Sequence, residues 1–140
     1  MSGKTKEIRY TIPSKLNELR RIEKITEGIA KELDLSEDQQ DNLSIAVTEA
    51  VGNAIVHGNK KDPSKTVQIV FRIKENSIRI SIQDQGGGFN PDKLADPLDP
   101  KNLMKESGRG LFILKSLMGN VSFQFSPQGT TVQFELKKKT

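Results

Sequence analysis

Residues 6–12 alternate apolar and polar side chains, the signature of a half-buried strand. Pro13 and Ser14 end it, and Ser14 is placed to cap a following helix. Leu16, Leu19, Ile22, Ile25, Ile29 and Leu33 then recur every three or four positions, which predicts a helix over residues 15–33. Gly28 lowers its propensity without breaking the pattern. A second helix is predicted over residues 36–57. Ser36 with Gln39 makes a capping box, Glu37 and Asp38 suit the positive end of the dipole, and Gly58-Asn59 is the stop. Residues 60–65, with Pro63, form a loop. Alternation returns at 66–73 and 77–82, joined by the short turn at Glu75-Asn76, so these make a hairpin. Residues 90–107 hold Pro91, Pro97 and Pro100 and little periodicity, and read as a long loop with a helical turn near 101–104. Leu111, Leu114, Leu117 and Met118 mark a short helix. Gly119-Asn120 turns the chain into strands at 121–125 and 131–136, with residues 126–129 between them. Five strands, two long helices and a short one, without regular βαβ alternation, predict an α+β two-layer sandwich. Its sheet is antiparallel or mixed, with helices on one face. The 140 residues form a single domain without internal repeat or linker.

The second helix carries an anomaly. At about 100° per residue, Glu49, Asn53 and His57 form one stripe, each about 40° on from the last. Its neighbours are apolar: Ile45, Ala46, Ala50 and Val56, with Leu43, Val47 and Ala54 extending the arc. The solvent sector falls around Asp41, Ser44, Thr48 and Asn59. An acid, an amide and an imidazole thus lie on a face that reads as buried, where an unpartnered carboxylate is costly. Either the three satisfy one another, or they face a wet cleft that holds a ligand.

Composition narrows the chemistry. There is no cysteine and one histidine, which excludes disulfides, thiolate sites and multi-histidine zinc sites. No apolar run approaches the length of a membrane span and no signal peptide opens the chain, so a soluble, cytoplasmic protein is expected. The net charge of +4 is spread out apart from Lys137-Lys138-Lys139, and 5% aromatics offer little stacking surface, so no nucleic-acid partner is expected.

Two glycine motifs add chemistry. Asp84-x-Gly86-x-Gly88 follows a strand end, where glycines let a ligand approach the backbone and a carboxylate can accept from an exocyclic amine such as adenine's. Ordinary turns use the same residues. Gly108-x-Gly110 opens a helix: taken alone it reads first as a plain loop-to-helix junction, and otherwise as an anion site of free N–H groups to which Arg109 would add charge.

The Glu49-x-x-x-Asn53 helix, Asp84-x-Gly86-x-Gly88, Gly108-x-Gly110 and Gly129-Thr130-Thr131, in that order, form a pattern. It resembles the GHKL ATPase superfamily of gyrase, Hsp90-type chaperones, histidine kinases and mismatch-repair proteins. Within that group the chain is similar to the stand-alone anti-sigma factor/serine-protein kinases of bacterial partner-switching systems. The likeness spans nearly the whole chain, most specifically at residues 48–58 and then at Gly108-Arg109-Gly110-Leu111. It implies the Bergerat ATP-binding fold, a mostly antiparallel sheet covered on one face by helices, with ATP and Mg²⁺ bound. By the same resemblance Asn53 is the metal ligand and Glu49 the general base, and Asp84 reads the adenine amine in a pocket end shaped by Gly86 and Gly88. Residues 90–107 are the lid. Gly108, Arg109 and Gly110 sit at the phosphates, Thr130 or equally Thr131 supports adenine, and His57 has a supporting role.

The resemblance also implies a serine/threonine kinase that phosphorylates an anti-anti-sigma antagonist, binds a sigma factor and forms a homodimer. Two other classes stay open: a non-catalytic, nucleotide-dependent binding regulator, and a detached histidine-kinase catalytic domain. Glu49 favours the enzyme, since a pure binder has no need of that carboxylate. The chain shows no phosphoacceptor histidine on a preceding helix, so a complete sensor histidine kinase is not expected.

Overall fold

The computed structural model describes residues 5–86, 114–118 and 120–138. The alternating runs become β1 (Lys6–Pro13), β2 (Thr66–Ile73), β3 (Ser77–Gln83), β4 (Val121–Ser126) and β5 (Gly129–Lys137). They form one sheet in the order β1-β2-β3-β5-β4. Every pairing is antiparallel, so among the described residues the sheet is antiparallel rather than mixed.

Register explains why one face is dry. Ile69 lies between Tyr10 and Ile82, Phe71 between Ile8 and Ile80, and Ile80 in turn faces Phe134. Because strand side chains alternate, these apolar positions share one face, and Ile69, Phe71, Ile80, Ile82 and Phe134 are all buried. The opposite face carries a transverse row of charge, Glu7–Arg72–Arg79–Glu135, across four strands. Arg72 pairs with Glu7 at 3.0 Å and Arg79 approaches Glu135 at 3.8 Å. Such exposed pairs contribute at most about 1 kcal/mol each, but they keep that face soluble.

The helices cover the dry face. α1 (Leu19–Glu32) and α2 (Glu37–Asn53) are joined by a short turn through Asp34, which adopts a φ of 56°. α1 buries Ile22, Thr26, Ile29 and Ala30; the Thr26 hydroxyl donates to Ile22 O at 2.8 Å, which satisfies it inside the core. Arg21 lies over the Tyr10 ring at 5.8 Å, and Tyr10 meets Phe71 edge-on at 6.4 Å, linking α1 through β1 to the sheet centre. α2 buries Leu43, Ala46, Val47, Ala50 and Val51. Residues 114–118 are helical and bury Leu114 and Met118.

Several expectations need correction. The first helix does not start at residue 15: a 3₁₀ turn, Leu16–Glu18, precedes it and leaves Leu16 exposed. Ser14 caps nothing; it is buried and its hydroxyl donates to Lys65 O at 2.7 Å. Ser36 does cap α2, accepting from Gln39 N at 3.2 Å, but the Gln39 side chain also reaches 98 residues along the chain to donate to Lys137 O. α2 stops at Asn53, and a π turn, Ala54–Gly58, replaces its expected last turn. Ile45, placed beside the polar stripe, is 46% exposed. The helical turn near residues 101–104 lies outside the described residues.

Core and cap are expected to separate in equilibrium urea unfolding. Phe71→Ala should cost about 3–5 kcal/mol through the cavity it leaves. Ser36→Ala should cost only about 1 kcal/mol. A Phe71→Ala loss no larger than the Ser36→Ala loss would contradict the packing.

Candidate functional site

The far end of the apolar face changes character. The parity that buries Ile78, Ile80 and Ile82 brings Asp84 to the same side, just past the end of β3. Asp84 is 6% exposed. Its Oδ1 accepts from Gly86 N at 2.9 Å and from Thr130 N at 3.0 Å, while its own N–H donates to Thr130 O at 2.9 Å. Burial pushes its carboxyl above the ordinary aspartate value, and the N–H donors of Gly86 and Thr130 only partly oppose that.

Three chain segments close on this carboxylate, and each does so through a glycine. A Cβ on Gly58 would overlap the Asp84 carboxylate. One on Gly86 would meet Gly58 O at 2.8 Å, and one on Gly129 would strike Asp84 O. Gly129 also adopts a φ of 149°, a conformation side chains resist. The helical turns do end at Gly58, with Asn59 as C-cap, but Gly58 does not supply the left-handed residue that commonly follows a helix. Lys60 and Lys61 adopt the left-handed conformation instead, with φ of 53° and 58°, and Lys61 N reaches back to Ile55 O at 2.8 Å. Gly58 is needed for close approach.

The π turn delivers Gly58 there. It closes with Asn59 N on Ala54 O at 2.8 Å, an i→i+5 bond. The inserted residue breaks the stripe expected along α2. Glu49 and Asn53, still on regular helix, are half-buried, whereas His57, within the π turn, is exposed. Among the described residues no side-chain hydrogen bond joins these three, so they do not satisfy one another. Thr48 turns away, its hydroxyl bound to Ser44 O at 2.7 Å. The Nδ2 of Asn53 is buried without a partner, the one such side-chain atom among the described residues. A buried amide with unused hydrogen-bonding capacity is costly, and its nitrogen and oxygen ends are interchangeable by a flip. Glu49 opens onto a groove of roughly 650 Å³ between α1 and α2, shared with Glu23, Ser44 and Thr48; neither Asn53 nor Asp84 lines it.

Asn59 was expected in the solvent sector. It is 1% exposed and knots four segments together. Its Nδ2 donates to Ser14 Oγ at 2.8 Å and to Thr66 O at 2.9 Å, and its Oδ1 accepts from Gln85 N at 2.7 Å. The Gln85 side chain adds a clasp, its Oε1 accepting from Thr66 N at 2.7 Å. Ser14, Asn59 and Gln85 were not anticipated as parts of the site. Ser14 and Asn59 are 45 positions apart, and no local spacing links them.

Of the ten predicted site residues, the structure gathers Asp84, Gly86 and Thr130 directly, with Gly58 tying in the end of the helix that holds Glu49 and Asn53. Thr130 shares the face of Val132 and Phe134, and hence of Asp84; Thr131 points to the other face. Gly88, Gly108, Arg109, Gly110 and the expected lid at 90–107 lie outside the described residues. Among the described residues no group of three or more His, Cys, Asp or Glu side chains forms a metal cage. A single amide ligand suits Mg²⁺, which keeps several waters and is otherwise held by substrate phosphates. The orphaned Asn53 amide fits that role.

Comparison with known proteins identifies the family and the fold. Residues 12–136 match the model of the histidine kinase-like ATPase domain. The serine-protein kinase RsbW of Bacillus licheniformis is 34% identical over 111 residues, covering 75% of this chain and 69% of that protein. RsbW of Oceanobacillus iheyensis is 33% identical over 100 residues, covering 67% of this chain and 63% of that protein. The crystal structure of the RsbU and RsbW domains of Rv1364c from Mycobacterium tuberculosis superposes with a TM-score of 0.70 at 16% identity, covering 96% of this chain and 33% of that one. At that identity the likeness speaks for the fold alone. The chain belongs to the histidine kinase-like ATPase domain family.

Proposed function

We propose that this protein is an ATP-dependent serine/threonine kinase acting as an anti-sigma factor, which phosphorylates a small antagonist protein and binds a sigma factor. The family membership and the relatives named as serine-protein kinases support the class of reaction. The observation that carries the site is the orphaned Asn53 amide, one helical turn from Glu49, on a helix whose π-turn extension packs against Asp84.

The roles follow from the chemistry of each group. The Asp84 carboxylate, with Oδ1 spent on two backbone N–H groups, offers Oδ2 to the adenine amine. Gly86, packed against Gly58 O, shapes that end of the pocket, and Thr130, on the face of Asp84, supports the base in preference to Thr131. Asn53 holds Mg²⁺ through its side-chain oxygen, and the bound ion would neutralise phosphate charge. Glu49 accepts the proton of the substrate's hydroxyl as its oxygen bonds to the γ-phosphorus and ADP departs. Positioning and charge neutralisation supply most of such catalysis, which a small site can provide. His57, exposed on the π turn, is assigned only a supporting contact. Gly88, Gly108, Arg109 and Gly110 complete the pocket and the phosphate contacts. The protein works as a homodimer.

Asn53→Ala is expected to lower Mg²⁺-dependent ATP affinity by more than about tenfold; unchanged affinity in titration calorimetry would remove Asn53 as the ligand. Glu49→Gln should bind nucleotide normally and transfer phosphate about 10²–10⁴-fold more slowly to the true acceptor protein. A near-normal transfer rate would exclude Glu49 as the base.

Asp84 sets a pH signature. Its folded-state pKa is raised above 3.8, so its contribution to stability is full below that pH and is lost as pH rises through the folded value. Above that folded value the nucleotide-free protein carries a buried charge. Asp84→Asn should therefore melt higher than the wild type at neutral pH, with the gap closing as pH falls towards 3.8. A wild type more stable than Asp84→Asn at neutral pH would contradict this.

A further inference from the structure

Asp84 can discriminate a base only if its backbone is held still, and the bonds that hold it divide into two sets. Gly86 N and Thr130 N fix the carboxylate itself. The next residue, Gln85, is fixed from the other side, its N–H donating to Asn59 Oδ1 at 2.7 Å. Asn59 has no slack with which to move. Its one acceptor contact goes to Gln85 and its two donor contacts go to Ser14 Oγ and Thr66 O, at the ends of β1 and β2. Ser14 is fixed in turn, its hydroxyl donating to Lys65 O. The backbone of Asn59 closes the π turn that brings Gly58 against Asp84. One side chain thus links the end of the metal-ligand helix, the start of β2 and the residue that follows the base-reading carboxylate.

We infer that Asn59 is a positioning residue for base recognition: through Gln85 it sets where Asp84 stands, and thereby the preference for a nucleotide bearing an exocyclic amine. The inference rests on the proposal that Asp84 reads adenine. It assigns a role to a residue that touches neither nucleotide nor acceptor protein. The chemistry of the contacts dictates the probe. Asn59→Asp keeps the shape and the acceptor for Gln85 N but turns an oxygen towards Thr66 O, where the carbonyl offers no hydrogen. That pushes the Asn59 side chain off its seat and releases Gln85.

The experiment measures ADP and inosine diphosphate affinities by calorimetry on the full chain, with melting temperature as a check on folding. The two ligands differ at the six-position, where adenine carries the amine. The wild type should prefer ADP by about tenfold or more, the range of one hydrogen bond to a charged group. Asn59→Asp should shrink that ratio several-fold by weakening ADP more than inosine diphosphate. A merely structural role would weaken both ligands alike and leave the ratio unchanged, which would overturn the inference. Ser14→Ala removes one anchor of the Asn59 amide, the 2.8 Å contact from Nδ2, by a change small enough to leave the core intact. It should narrow the ratio in the same direction by a smaller factor, and it decides the matter if Asn59→Asp does not fold; an unchanged ratio there would overturn the inference too. A wild type without preference would refute Asp84 as the amine reader, and the role of Asn59 would fall with it. Preference in the wild type that persists undiminished in the variants would refute Asn59 alone.

Discussion

Asp84 can be buried only because three chain segments reach it without a Cβ in the way. Gly58 brings the end of the second helix, Gly86 lets the following backbone fold back, and Gly129 brings in the start of β5. Two N–H groups then meet one carboxylate oxygen. Taking a carboxylate out of water is costly, and the raised pKa shows that these bonds do not fully offset the cost. A purely structural position could meet the same two N–H groups with a neutral amide oxygen. A carboxylate here fits the proposed site, in which a ligand donor completes its hydrogen bonding.

The same constraint accounts for the irregular end of α2. A regular helix through residue 58 would place Gly58 elsewhere on the helix circumference. The π turn adds a residue and re-aims the chain, which permits contact with Asp84. Upstream of the insertion Glu49 and Asn53 keep helical spacing and lie half-buried; downstream His57 is rotated out to solvent. On the proposed reading the helix divides the work: its regular part carries the groups proposed to meet phosphate and metal, and its distorted end docks onto the Asp84 loop. The orphaned Asn53 amide and the buried Asp84 carboxylate lie on elements that the glycine contacts and the Asn59 knot hold together.

Much of this was legible in the residues. The strands were, because one dry face and one charged face force strict alternation; Val67, Ile69, Phe71 and Ile78, Ile80, Ile82 leave no other register that buries them. Glu49 and Asn53 stood out as polar groups on an apolar arc, and Asp84 as an acid among glycines. The failures share a cause: they concern side chains whose partners are distant in sequence. Ser14 looked like a cap because caps are local, whereas its partners are Lys65 and Asn59. Gly58-Asn59 does end the helical turns, but not as a left-handed glycine cap: Lys60 and Lys61 take that conformation, rare for lysine, which leaves glycine and asparagine free for tertiary contacts. Periodicity also carries no signal for a π turn, since one inserted residue mimics a slightly longer helix.

Every step from fold to chemistry depends on Asn53 and Glu49 meeting a magnesium-bound triphosphate while Asp84 holds the base. The most direct measurement is a crystal structure of the chain with Mg²⁺ and a non-hydrolysable ATP analogue. The Asn53 side-chain oxygen is expected on the metal at about 2.1 Å, with Glu49 beside the terminal phosphate and Asp84 Oδ2 on the six-amine. A bound analogue that left Asn53 and Glu49 in contact only with protein, or seated its base away from Asp84, would contradict it.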